Sequence, residues 1–278
     1  MDDAFDSGQL SQACRHRPEP QWTSVVLMSK PATGTYKVFF SDTNGDSWLL
    51  AQELTIGTGG QYGSIAAHPT DSSRVAVSWQ TSSNTTKVAV NTFANGSPTP
   101  GPFTTYSVPN AAGSAPQIIW AGATRLVLVG DRAGAFRLQY SVNDGQTWSD
   151  ANPSSFSTTS VYELTEGVIT KAGDLSVLFT FCKSSDSSPR HVLARSTDAG
   201  STWTNISALP SGTLTTPQAI AYDPGDDSLY VAWWASSRVT KLPNASTRDW
   251  GAVTAGDWIE IAASPGRTGV RGLVVLGN

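Results

Sequence analysis

Cysteine is nearly absent. The 278 residues hold two, Cys14 and Cys182, too few for the multi-bridge framework that staples small secreted folds. The sequence leaves open whether these two pair. Histidine is as scarce: His16, His68 and His191 stand at no metal-ligand spacing, so no metal is expected. Charge is low, with 14% of residues Asp, Glu, Lys or Arg and a formal net charge of −4. That balance argues against a nucleic acid or an anionic membrane surface as partner. No apolar run reaches the length of a transmembrane helix, and residues 1–20 are polar, without the apolar core of a signal peptide. A phosphate-cradling glycine loop and a nucleophile elbow are also missing, and no cofactor is expected.

What the chain does have is turn residues and aromatics, with 25 Gly, 16 Pro and 10 Trp. That composition suits many short strands joined by tight turns. Residues 1–20 read as an N-terminal arm or linker, and 21–278 as one β domain. Strands are expected over 22–30, 36–41 and 49–54. From there a unit recurs about every fifty residues, the period of solenoid or propeller repeats. Its opening hairpin is read at 63–79, 116–130, 166–181 and 217–234, and in shortened form at 259–276. Third strands follow at 87–91, 136–141, 191–196 and 238–242, and short polar fourth strands at positions such as 103–108 and 204–209. Four-stranded units at this period predict a β-propeller of antiparallel blades. Four units are complete, and the end pieces either share one closing blade or head two separate ones.

One stretch ties these units together, Ser196-Thr197-Asp198-Ala199-Gly200-Ser201-Thr202-Trp203. Asp198 is placed to accept hydrogen bonds from its own turn, Gly200 supplies a positive φ, and Trp203 offers an apolar face to pack beneath. Ser141-Val142-Asn143-Asp144-Gly145-Gln146-Thr147-Trp148 repeats it with Asn143 for the aspartate. Ser41-Asp42-Thr43-Asn44-Gly45-Asp46-Ser47-Trp48 is a weaker copy. The pattern S-x-D-x-G-x-T-W resembles the Asp-box (BNR repeat) of the sialidase-like β-propellers. The resemblance implies an all-β, sialidase-like propeller of six blades, with five as the other count.

In a four-stranded antiparallel blade the first–second and third–fourth turns share one end. The second–third connections and the links between blades share the other, where propellers usually bind ligands. The turn motifs, including Asp198, Asn143 and their tryptophans, are therefore structural. Three successive second–third connections carry an arginine: Arg132, Arg190 and Arg238. Converging guanidinium forks suit a carboxylate, hence an acidic sugar or other glycan. Trp79, Trp233 and Trp234 end second strands at the same end and are candidate sugar platforms, with at least one of the last two expected between blades. The resemblance further implies a Tyr–Glu pair with a separate Asp, and Glu166, Tyr162 and Asp131 are the candidates. Glu166-Gly167-Val168-Ile169 followed by Gly173-Asp174-Leu175 is similar to the family segment whose glutamate opens a first strand. The family's Arg-Ile-Pro-like motif has no good counterpart, and no tyrosine follows Tyr230.

The leading expectation is thus a non-catalytic or weakly catalytic propeller that binds glycans or other surface ligands through its funnel face. An exo-sialidase-type glycoside hydrolase is the enzymatic alternative. The third reading is a structural or adhesion module of a virion or cell-surface assembly, attached through the N-terminal arm. An extracellular or particle-surface setting is expected. Four N-x-Ser/Thr sequons begin at Asn84, Asn95, Asn205 and Asn244, and chance alone produces several in a chain this rich in Ser and Thr.

Overall fold

A computed structural model describes residues 10–15, 25–29, 35–41, 46–55, 61–68, 74–81, 85–92, 103–109, 116–132, 135–151, 168–171, 177–183, 191–205, 217–223, 225–233 and 238–263. Within them the chain is all-β, relieved only by two single-turn 3-10 helices at Trp250–Ala252 and Ala255–Asp257. Five four-stranded antiparallel sheets form, each a meander in chain order, the unit from which propeller blades are built.

The first sheet is β1 (Leu10–Arg15), β2 (Val25–Ser29), β3 (Thr35–Ser41) and β4 (Leu49–Thr55). The second is β5 (Gln61–Ala67), β6 (Arg74–Gln80), β7 (Thr86–Thr92) and β8 (Thr104–Ser107). The third is β9 (Gln117–Trp120), β10 (Leu126–Arg132), β11 (Ala135–Ser141) and β12 (Ser149–Asp150). The fourth is β13 (Val168–Lys171), β14 (Leu178–Lys183), β15 (His191–Ser196) and β16 (Thr204–Asn205). The last is β17 (Pro217–Asp223), β18 (Ser228–Trp233), β19 (Arg238–Leu242) and β20 (Ile259–Ala263).

Two of these strands differ from the sequence expectation. Leu10–Arg15, inside the stretch read as an arm, is a strand paired along β2. Its sequence LSQACR has no apolar alternation, so the pattern gave no sign of it. Ile259–Ala263, read as opening a further hairpin, instead pairs with β19 as the fourth strand of the last sheet. The loop of 243–258 separates these partners, and only their register reveals the pairing.

The chain divides into two compact units, Met1–Leu126 with Ser141–Trp148, and Val127–Tyr140 with Ser149–Asn278. In the first unit the core joins the first two sheets through Tyr36, Val38, Leu54, Ile65, Val75, Val77, Trp79 and Ala89. In the second it joins the last two sheets through Phe179, Leu193, Leu229, Val231, Trp233, Leu242 and Trp250. The second strands are apolar on both faces, so both faces are covered: β6 (RVAVSWQ) is buried at five consecutive positions. Outer strands β8 and β12 are polar and exposed. The buried hydroxyls of Ser64 and Ser78 are matched, whereas Tyr36 Oη and Thr180 Oγ1 are not. The Ser64 and Ser78 hydroxyls lie 2.9 Å apart, Ser78 Oγ donates to the Pro116 carbonyl, and the Ile118 N–H donates to Ser64 Oγ.

Candidate ligand-binding end of the sheets

The site is defined first by what occupies the opposite end. Between β15 and β16 the motif closes on itself. Asp198 Oδ1 accepts from the Thr202 N–H at 2.8 Å and from the Ser196 hydroxyl at 2.8 Å, and Oδ2 accepts from the Thr202 hydroxyl at 2.7 Å. Ser196 Oγ in turn accepts the Gly200 N–H at 2.8 Å, and the Trp203 indole donates to the Gly200 carbonyl at 3.2 Å. Burial works against the ionised Asp198, but the Thr202 and Ser196 hydrogen bonds outweigh it and hold the carboxyl below its usual range. Ala199 and Gly200 both have positive φ, 54° and 86°, the signature of a tight type I′-like reversal. A Cβ on Gly200 would meet Val127 Cγ2 at 2.4 Å, so space as well as φ demands glycine there.

Between β11 and β12 the same geometry is made with an amide. Asn143 Oδ1 accepts from the Thr147 N–H at 2.9 Å and the Ser141 hydroxyl at 3.0 Å, while the Trp148 indole donates to the Gly145 carbonyl at 2.9 Å. Residues 42–45 of the third copy lie outside the described residues.

The first–second turns stand beside these reversals. The Asp144 N–H donates to the Thr124 carbonyl, and the Thr124 hydroxyl to the Val142 carbonyl. Arg74, opening β6, ion-pairs with Asp144 and donates to the Ala123 carbonyl at 2.5 Å, with its guanidinium 4.7 Å from the Trp120 ring centroid. In the last sheet, Asp227 of the β17–β18 turn accepts from the Ser246 N–H at 2.8 Å and from the Tyr222 hydroxyl at 2.9 Å. First–second and third–fourth connections therefore share an end and are locked there by hydrogen bonds. The second–third connections stand at the other end; that between β6 and β7 is closed by the Thr81 N–H donating to the Thr85 carbonyl at 2.9 Å, and most of the rest lie outside the described residues.

Of the sequence-predicted site residues, the described ones stand at or beside second–third connections, with different fates. Arg132 is the last residue of β10, Arg190 directly precedes β15, and Arg238 is the first residue of β19. All three belong to the second unit. Only Arg238 has a described side chain: it is 40% exposed, with Nε 3.4 Å from Glu260 Oε1 on β20. Asp131 lies in β10, with its side chain, like that of Arg132, outside the described residues. Tyr162, Glu166, Arg190 and Trp234 also lie outside them.

Trp79 and Trp233 are core residues, 3% and 1% exposed, and present no face to a ligand. The reason is register: both end second strands whose neighbours cover them, and the Trp233 indole is bonded to Thr240 Oγ1 at 2.9 Å. Cys14 lies in β1 and Cys182 in β14, their side chains outside the described residues. Among the described residues no cluster of His, Cys, Asp and Glu could hold a metal ion, and no helix is long and apolar enough to cross a membrane.

Sequence reasoning missed Arg74 and Arg195, and the partners that Asp227 finds at Ser246 and Thr247. Arg195 Nη1 faces three carbonyls, of Ala245, Ser246 and Arg248, at 3.0, 3.0 and 2.9 Å. Its partners lie fifty or more residues away in the chain, so no local pattern marks it.

No protein-family model matches this chain, and no curated protein matches it in sequence. Its fold is shared by solved structures at low identity. A GH74 enzyme of Niastella koreensis aligns over 94% of this chain at 18% identity and a TM-score of 0.61, and the chain spans 38% of that protein's length. The Aleuria aurantia lectin, solved with Fucalpha1-6GlcNAc, aligns over 91% of this chain and 78% of its own at 15% identity and a TM-score of 0.52. The NanB sialidase of Streptococcus pneumoniae aligns over 89% of this chain and 61% of its own at 9% identity and a TM-score of 0.50. At these identities the likeness is one of fold.

Proposed function

We propose that this chain is a sialidase-like, Asp-box β-propeller of five blades that binds carbohydrate without turning it over. The five complete sheets support the count, since β1 and β20 each fill a place in a sheet of four. The glycan-related neighbours, a lectin and two glycosidases by their names, support the ligand class.

One observation carries the site. Arg132 ends β10 and Arg238 opens β19, each beside the second–third connection of its sheet, and Arg190 immediately precedes His191 of β15 in the sequence. With the candidate indoles of Trp79 and Trp233 committed to the core, recognition passes to charge, which favours a carboxylate-bearing sugar over a neutral one. Asp131, beside Arg132, and Tyr162 and Glu166, in the sequence of the inter-blade link 156–166, are the further residues that orient the ligand in this reading. The setting is extracellular or at a particle surface, with no nucleic-acid partner.

A glycan array with sialylated and neutral members tests the reading. Binding confined to acidic glycans, weakened by added salt and lost in the triple variant Arg132→Ala, Arg190→Ala, Arg238→Ala, supports it. Binding to neutral glycans that the triple variant retains overturns it. A fluorogenic sialoside assay beside Glu166→Gln separates binding from hydrolysis: turnover that the variant loses would make the chain an enzyme and Glu166 a catalytic residue.

A further inference from the structure

The core between the first two sheets contains polar groups that the fold leaves unmatched. Tyr36 Oη and Trp79 Nε1 have no hydrogen-bond partner, although their residues are 1% and 3% exposed. They belong to one cluster, with Val38, Leu54, Ile65, Val75, Val77 and Ala89 around them. Tyr36 is the second residue of β3 and Trp79 the last but one of β6, so each adjoins the second–third connection of its sheet. Trp120 Nε1, in a residue 0% exposed, is unmatched as well, whereas three other buried indoles are satisfied. Trp203, Trp233 and Trp250 each donate to a protein oxygen, at 3.2, 2.9 and 2.9 Å. A buried donor left unmade is costly, and two in one cluster call for a shared acceptor.

We propose that this core encloses one neutral hydroxyl group, which accepts the Trp79 N–H and hydrogen-bonds to Tyr36 Oη. The chemistry follows from the lining. An indole only donates, whereas a phenol donates and accepts, so the guest must accept at least one bond and be free to give another. A hydroxyl does both. A charged guest is disfavoured because the described side chains packed with the pair, Val38, Leu54, Ile65, Val75, Val77 and Ala89, are apolar. Burial agrees, pushing the Tyr36 phenol up to about 12 and so keeping it neutral. Two sources supply such a group, an internal water or the hydroxyl of a small polyol. The near-complete enclosure favours water, which needs two to four polar partners to stay. This site lies in the first unit and does not depend on the arginine reading.

Nuclear magnetic resonance on the intact chain tests it. The Trp79 indole proton is expected to show a cross-peak to a long-lived water and slow exchange with solvent. Tyr36→Phe should weaken that cross-peak and lower the melting temperature by about 3 °C. Titration with glycerol and a neutral hexose distinguishes the sources: a saturable shift of the indole resonance assigns the hydroxyl to a polyol, and no shift beside a water cross-peak assigns it to water. A Trp79 proton silent to both water and polyols overturns the proposal, as does stability equal to or above the parent in both Tyr36→Phe and Trp79→Phe. A cross-peak that Tyr36→Phe leaves unchanged removes Tyr36 and overturns the two-partner arrangement. Where Trp79→Phe fails to fold, the water and polyol measurements on the unmodified chain still decide.

Discussion

Two neighbouring reversals in the second unit do the same task by opposite means. Each leads from the third strand of a sheet to the fourth, and each ends with an indole donating to a turn carbonyl, Trp203 to Gly200 and Trp250 to Ala245. The 196–203 reversal is held from inside, by Asp198 and Ser196 of its own sequence. The 243–250 loop is held from outside. Arg195 on β15 supplies three carbonyl contacts and stacks 5.1 Å from the Trp250 ring, and Asp227 accepts from Ser246, Thr247 and Tyr222. A self-held turn writes its stabilisation into eight consecutive residues, whereas an externally held loop spreads it over two sheets.

The sharpest way to break that contrast is at Arg195. Arg195→Met removes all three carbonyl contacts and leaves Asp227 and Asp249, whose charges favour the guanidinium, without it. A loss of about 3 kcal/mol is expected by chemical denaturation, at the upper range for charged hydrogen bonds. Arg195→Lys should recover little of it, since one ammonium does not reproduce the planar fork over Trp250. Hydrogen exchange should rise in 243–250 and leave 196–203 protected; rise in both would mean the two reversals act as one.

The glycines come next. Gly200→Ala combines a φ of 86° with a Cβ 2.4 Å from Val127 Cγ2, while Gly145→Ala at a φ of 83° meets nothing nearer than 3.5 Å. The second should cost about 1 kcal/mol, the left-handed penalty alone, and the first about 2 kcal/mol or more. Equal losses in thermal unfolding would show that packing against Val127 adds nothing.

The same contrast explains what was legible in the sequence. The hairpins were, because each carries an apolar second strand such as RVAVSWQ or SLYVAW that must be buried on both faces. The self-held turns were, since donor and acceptor lie within five residues. Arg195 and the partners of Asp227 were not: nothing local marks an arginine whose acceptors lie fifty residues on. β20 was misread because IEIAA looks like an opening strand, and only pairing with β19 across the loop gives its place. At the candidate site, Arg132 ends β10 and Arg238 opens β19, the strand ends that connection order assigns them. The roles of Trp79 and Trp233 were not legible, because alternation names two faces without saying which one a neighbouring sheet covers.

Within the self-held turns, Asp198→Ala should cost about 1–2 kcal/mol, as for a lost cap that satisfies turn N–H groups. Asp198→Asn should cost less than about 1 kcal/mol, because Asn143 already makes the equivalent bonds to Thr147 and Ser141 with an amide. If Asp198→Asn is as damaging as Asp198→Ala, charge rather than hydrogen-bond geometry holds the turn.

Acid gives the smallest effect and separates the two reversals by titration. Asp198 and Asp227 are both held below the ordinary carboxylate value of 3.8; in each, burial opposes ionisation and is outweighed by hydrogen bonds, from Thr202 and Ser196 in one and Ser246, Tyr222 and Thr247 in the other. Asp257 is driven lower, to about 2, by the Thr254 backbone and hydroxyl and by Arg248. A depressed folded-state value means the contribution is complete above 3.8 and is lost as pH falls through the folded value. Stability should therefore be flat from neutral pH to about 5 and decline between about 4 and 2. Asp198→Asn should remove only the share belonging to 196–203, and Asp227→Asn the share belonging to 243–250. Thermal unfolding of the parent and the two variants at pH 7 and pH 3 measures both shares. A decline that neither variant softens would assign the acid sensitivity to Asp257 and to the remaining carboxylates, and would show that both reversals hold by hydrogen bonding that survives protonation.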